Sequence, residues 1–190
     1  MQTTNRRTHA MGLGLLLLTC AAGVQAADNV KVTVNSNVLE GSCDVSGPAT
    51  QAFSGGHRGS EFTPTHRTAE TILLNITVKN CKGSVAGKKP TILVTGPLLA
   101  GQTDIFADGS SAATNVGVAV REGRYTGSLN AFYSAGQMVS QAKPETYMGN
   151  IDATNGGSYP YTLGLVSDDT GIAPGLGQVK ATLTFEFKYQ

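Results

Sequence analysis

Few residues in this chain have types and spacings that could do chemistry. Its three cysteines are Cys20, Cys43 and Cys81. Cys20 falls in an apolar leader that export would remove. That leaves Cys43 and Cys81 as an even pair, which in an exported protein reads as a disulfide. Closing a loop of that length stabilises by about 3–4 kcal/mol in the chain-entropy account. His57 and His66 bracket a Gly-rich, charged loop, but no cysteine or carboxylate stands at metal-ligand spacing from either. Both are expected as solvated loop residues, and no metal or other cofactor is expected. Asp168 and Asp169 precede Thr170-Gly171, a turn in which Asx side chains bond their own backbone. The run "GSVAGKK" ending at Lys88 and Lys89 lacks the glycine spacing and the Ser or Thr of a phosphate loop. With no Gly-x-Ser-x-Gly, His-Glu-x-x-His or Cys-x-x-Cys set, the chain is expected not to be an enzyme.

The elements that must carry these residues are strands, preceded by an export signal. Arg6 and Arg7 form a positive start, the apolar run 13–24 follows, and Val24-Gln25-Ala26 suits a signal peptidase. A lipoprotein signal would also place a cysteine after an apolar run, but Thr19 stands where such signals want Gly, Ala or Ser. Residues 1–26 are therefore expected to be cleaved and the remainder exported. No later run approaches membrane-spanning length, so no direct membrane insertion is expected. Loss of Arg6 and Arg7 takes the 14 basic residues to 12, against 13 acidic ones, a net charge of −1. So neutral a chain has no electrostatic reason to bind nucleic acid or an anionic bilayer.

Period-2 alternation recurs through the body, and helical periodicity does not. "TILLNITVKNC" places Ile72, Leu74, Ile76 and Val78 on one face, with Asn75, Thr77 and Lys79 opposite. "TILVTG" is a short apolar strand stopped by Gly96-Pro97, "NVGVAVREG" alternates Val116, Val118 and Val120, and "YPYTLGLVSDD" carries Tyr161, Leu163 and Leu165. In "GQVKATLTFEFKYQ", Val179, Ala181, Leu183, Phe185, Phe187 and Tyr189 share a face. Turn clusters such as "FSGGHRGS", "ADGSS" and "APGLG" separate these runs. Seven or eight short strands with Gly-rich turns imply an all-β, immunoglobulin-like sandwich in one domain. Two apolar segments have no obvious place in a closed sandwich: the alternating Val30, Val32 and Val34 near the start, and the final strand.

The chain resembles the pilin subunits of fimbriae assembled by the chaperone–usher pathway. The resemblance rests on the alternating segment after the signal, "VLEGSCDVSG" around the first cysteine and "LLNITVKNC" running into the second. "ATNVGVAVREG" and the terminal "GQVKATLTFEFKYQ" with its penultimate Tyr189 complete it. It implies an incomplete immunoglobulin-like β-sandwich that lacks its last strand and is completed by a donor strand from another subunit, a form of strand addition.

By that resemblance, residues 27–36 are a donor extension and 37–190 the pilin domain. Val30, Val32, Val34, Ser36 and Val38 form the donor strand, Ser36 standing where the family usually carries glycine. Val179, Ala181, Leu183, Phe185, Phe187 and Tyr189 line the acceptor groove and meet the chaperone. The short stretch ahead of Cys43 is closest in pattern to minor tip or adaptor subunits. The implied partners are neighbouring pilin subunits, a periplasmic chaperone and an outer-membrane usher. The implied destination is an adhesive fimbrium on the cell surface, reached through the periplasm. Against this stands a self-contained secreted sandwich that binds carbohydrate or a host receptor through Tyr125, Tyr133, Tyr147 and Tyr159, although the chain has no Trp.

Overall fold

A computed structural model of the chain describes residues 41–83, 85–146 and 156–190, all within the compact unit Val38–Gln190. Among these residues eight strands follow in chain order: β1 (Ser42–Ser46), β2 (Thr68–Lys82), β3 (Pro90–Thr95), β4 (Ile105–Phe106), β5 (Val116–Glu122), β6 (Glu145–Thr146), β7 (Gly157–Ser167) and β8 (Thr184–Tyr189). The only helical elements among the described residues are two single 3₁₀ turns, Gly59–Glu61 and Leu129–Ala131. The strands make two sheets, ordered β1-β2-β7-β5-β4 and β6-β3-β8. All their pairings are antiparallel. The fold is an all-β sandwich, as expected, and among the described residues it is open along one side.

The alternation along β2 sets the sandwich. Leu74, Ile76 and Val78 are buried while Asn75 is exposed, and Ile92 and Val94 of β3 meet them from the second sheet in one apolar cluster. β5 and β7 depart from simple alternation, because both of their faces are covered. Val118, Val120, Tyr161 and Leu163 face the cluster between the sheets. Ala119 and Val166 face the other way, under Phe132 and Met138 of the segment after β5. Gly164 makes that second cover close enough to matter: a Cβ there would run into the Phe132 ring. Pro160 is tolerated within β7 because its carbonyl, and so its missing N–H, faces Gly123 just beyond the end of β5.

Cys43 and Cys81 are joined, with Cα atoms 4.1 Å apart and a separation of 38 positions in sequence. The bond ties edge strand β1 to the end of β2. The final strand differs in extent from its sequence pattern. Its alternation begins at Val179, but the ladder with β3 covers only Thr184 to Tyr189, because β3 ends at Thr95 and Gly96-Pro97 turns the chain away.

Candidate binding groove

An open cleft of about 950 Å³ runs between β1, with the loop after it, and the 174–185 segment. Its floor is apolar and comes from three strands of the larger sheet, including Leu74 and Ile76 of β2, Val118 of β5 and Leu163 of β7. One wall is built by Val45 and the polar stretch 46–57. The other is built by Val179, Ala181, Leu183 and Phe185. None of these four is fully buried, although each packs against the main cluster. A segment that is apolar on its inward face and only partly buried there is a wall with nothing beside it on the groove side among the described residues.

The backbone along that wall has one side satisfied and one side presented. The loop after β4 stands in where β3 has turned away. Asp108 N–H donates to the Lys180 carbonyl (2.7 Å) and Ala112 N–H to the Gln178 carbonyl (2.9 Å). Ser111 Oγ donates to the Lys180 carbonyl and accepts from Lys180 N–H. The Asp108 carboxylate accepts from both the N–H and the hydroxyl of Thr182, each at 2.8 Å. Further along, Gln190 and Lys89 exchange both backbone bonds. Every one of these bonds falls on an even-numbered residue of the last segment. Antiparallel alternation turns the N–H and C=O groups of residues 179, 181, 183 and 185 the other way, toward the groove. Among the described residues β8 is the edge of its sheet, and β1, across the cleft, is the edge of the other. At about 3.3 Å per residue the presented edge from Val179 to Phe185 spans about 20 Å.

The cleft has one closed end. Tyr189 donates its hydroxyl to the Gly83 carbonyl at 3.2 Å. Its ring lies so near Gly41 that a Cβ there would stand 2.7 Å from the ring. Phe187 stacks edge-on against Tyr189 at 5.1 Å, and Phe185 against Tyr161 at 5.2 Å. Of the six residues expected to line an acceptor groove, Val179, Ala181, Leu183 and Phe185 border this cleft. Phe187 and Tyr189 lie beyond its lining and seal the end beside the disulfide. Val30, Val32, Val34, Ser36 and Val38, the expected donor positions, lie outside the described residues.

Both histidines depart from the expectation of solvated loop residues. His57 Nδ1 stands 2.9 Å from Glu61 Oε2, and Nε2 stands 2.9 Å from Glu70 Oε2. Only 15% of its side chain is exposed. The hydrogen bond to Glu61 raises the His57 pKa above its ordinary value, against a smaller opposing effect of burial. Hydrogen bonds from Arg58 N–H and His57 hold Glu61 below the usual carboxylate range. Burial opposes the same shift at Glu70, where bonds from Ser54 N–H and His57 prevail. His66 has its Nε2 buried with no hydrogen-bond partner among the described residues. Glu70 escaped the sequence reading because it is 13 positions from His57 and meets it only when β2 passes beneath the loop. The two ring nitrogens of His57 point at separate carboxylates, so the set does not converge on one point. Among the described residues no group of three or more His, Cys, Asp or Glu side chains is arranged to hold a metal.

The tyrosines and carboxylates singled out for other chemistry have internal tasks. Tyr133 donates to Asp104 (2.8 and 3.0 Å) and lies under the Arg67 guanidinium at 4.0 Å. Burial, then the Asp104 bond, pushes its pKa up to about 12. Tyr125 bonds the Ser128 carbonyl and stacks edge-on against Phe132. Tyr159 sits within β7 opposite Ile76, and Tyr147 lies outside the described residues. Asp168 caps its own turn through Thr170, and Asp169 accepts from Gln102. No helix among the described residues is long and apolar enough to cross a membrane.

No protein-family model matches the sequence, and no curated protein does. Among solved structures the chain is similar to the P pilus rod subunit PapA, at 22% identity and a TM-score of 0.49, covering 84% of this chain and 100% of that one. It is similar to the P pilus adaptor subunit PapF at 16% identity and a TM-score of 0.40, over 81% of this chain and 100% of that one. It is also similar to a subunit in the structure of a chaperone–usher pilus at 22% identity and a TM-score of 0.49, over 84% and 94% respectively.

Proposed function

We propose that the chain is a structural subunit of a chaperone–usher fimbrium, polymerising by accepting into its groove the N-terminal strand of a neighbouring subunit. The observation that carries this reading is the 179–185 wall. An apolar strand face half-exposed along an apolar floor, with its backbone groups turned to the cleft, is an acceptor for one more strand. The residues expected to fill a neighbour's groove are Val30, Val32, Val34, Ser36 and Val38. Burying three or four valines stabilises by roughly 5–12 kcal/mol before ordering costs, and each new main-chain bond adds about 0.5–1.5 kcal/mol. Leaving the groove means withdrawing a whole strand, so dissociation is expected to be very slow. In the cell the groove would be occupied first by a periplasmic chaperone, with exchange at an outer-membrane usher, and the product would be an adhesive surface polymer. The internal commitments of Tyr125 and Tyr133 weigh against a sugar-stacking surface.

The test is thermal unfolding of residues 27–190 with and without the peptide DNVKVTVNSNVLEG (residues 28–41). The control is the same peptide with Val32 and Val34 changed to Asp. A large, slowly reversible rise in melting temperature, absent with the control, is the expected result. A high melting temperature indifferent to both peptides would mean a complete sandwich and would sink the proposal.

A further inference from the structure

The 52–61 loop forms part of one wall of the groove; Phe53 packs it on the core, and its polar anchor is one cluster of charged side chains. His57, Gly55, Gly56 and Phe53 all border the cleft. Glu70, on β2, accepts Ser54 N–H with both oxygens, at 2.9 and 3.0 Å. Glu61 accepts Arg58 N–H at 3.0 Å. The His57 ring then joins the two carboxylates, one at each nitrogen. Two ionised carboxylates can both be bonded only if both ring nitrogens donate, which requires the imidazolium. A neutral ring has one N–H, so its other lone pair would face a carboxylate oxygen. The arrangement is therefore complete in one protonation state of the ring and broken in the other.

We propose that His57, clasped between Glu61 and Glu70, is a pH-sensitive latch on the groove: charged, it holds the 52–61 wall in place, and neutral, it releases that wall for an entering strand. The latch itself rests on the geometry of the loop, and its consequence for strand entry rests on the proposed function. The charged groups facing the ring are Glu61 and Arg58 from its own loop and Glu70 from β2. Pro174 of the β7–β8 loop packs on the same loop at Gly59 through its carbonyl and brings no charge. Lys180 borders the cleft from the opposite wall.

The sign follows from the directions of the shifts. A histidine raised from 6.5 contributes stability that is complete below 6.5 and is lost as pH rises through the raised value. Carboxylates lowered from 4.5 contribute stability that is complete above 4.5 and is lost as pH falls through their lowered values. The wall is thus held fully between pH 4.5 and 6.5 and loosens above that window.

The experiment is amide hydrogen exchange at Ser54 and Arg58 in residues 27–190, from pH 5.5 to 8.5 and corrected for intrinsic rates. It is run alongside the entry rate of the 28–41 peptide. The expected result is at least tenfold loss of protection across that range in the wild type, with faster peptide entry at the higher pH. His57→Gln should show low protection and fast entry throughout. Protection that is flat with pH in the wild type, or that falls equally in His57→Gln, would overturn the latch. So would protection that falls with pH while a peptide that does enter the groove enters no faster. Glu70→Gln, which keeps the shape of the site, guards against a misfolded His57 variant and should likewise remove the pH dependence. If the peptide enters at no pH, the strand-accepting reading fails, and the amide protection alone decides whether His57 holds the loop.

Discussion

At the scale of single residues, the groove depends on side chains that imitate a missing strand. Asp108 is the clearest. By accepting both the N–H and the hydroxyl of Thr182, it occupies the place that β3 abandons when the chain turns at Gly96-Pro97. Asp108→Ala is expected to destabilise the fold by about 1–3 kcal/mol, the usual cost of losing bonds to a charged acceptor. It should also weaken uptake of the 28–41 peptide, because residues 179–183 would lose their fixed edge. Urea unfolding and peptide titration of the one variant would read both effects. An unchanged midpoint would mean that Ser111 and the backbone bonds of the loop hold the segment alone. Asp108 stood in the plain turn cluster "ADGSS", and nothing local in it marks a strand surrogate. Its role appears only when Thr182, 74 positions away, is brought beside it. Glu70 and His57 were hidden in the same way, each ordinary in its own stretch.

At the scale of elements, the final segment does two things that its even alternation conceals. From Thr184 to Tyr189 it is a paired strand against β3. From Val179 to Leu183 it is a wall of the cleft, held by a loop. Leu183 lies in that second part, on the groove-lining face and half-exposed. Leu183→Asp is expected to abolish the peptide-induced rise in melting temperature while shifting the melting temperature of the chain alone by only a few degrees. Equal stabilisation of variant and wild type by the peptide would place the docking site elsewhere. The strands themselves were legible because one covered face and one wet face impose a period of two. β5 and β7 were less so, since Phe132 and Met138 cover their outer face and bury residues on both sides.

At the scale of the whole molecule, an incomplete sandwich must hold its edges together by other means. The Cys43–Cys81 bond closes a 38-residue separation and anchors β1, one border of the cleft, to β2. Replacing both cysteines by Ala is expected to cost about 2–5 kcal/mol. The loss should be smaller with the peptide bound, because a strand in the groove would restrain the same edge. Melting curves of the double variant with and without peptide would check this, and equal losses in both would show that the bond and the groove are uncoupled. The sequence by itself determined the export signal as an expectation, the all-β class, the cysteine pair and the shared apolar face from Val179 to Tyr189. All of these are written in local composition or in a period of two. Only the tertiary structure decided where that face stops lining a cleft and starts sealing it, between Phe185 and Phe187. Only it decided that Asp108 substitutes for a strand and that His57 lies between two carboxylates. These features depend on which distant segments are brought within hydrogen-bond reach, and period and composition carry no record of that distance.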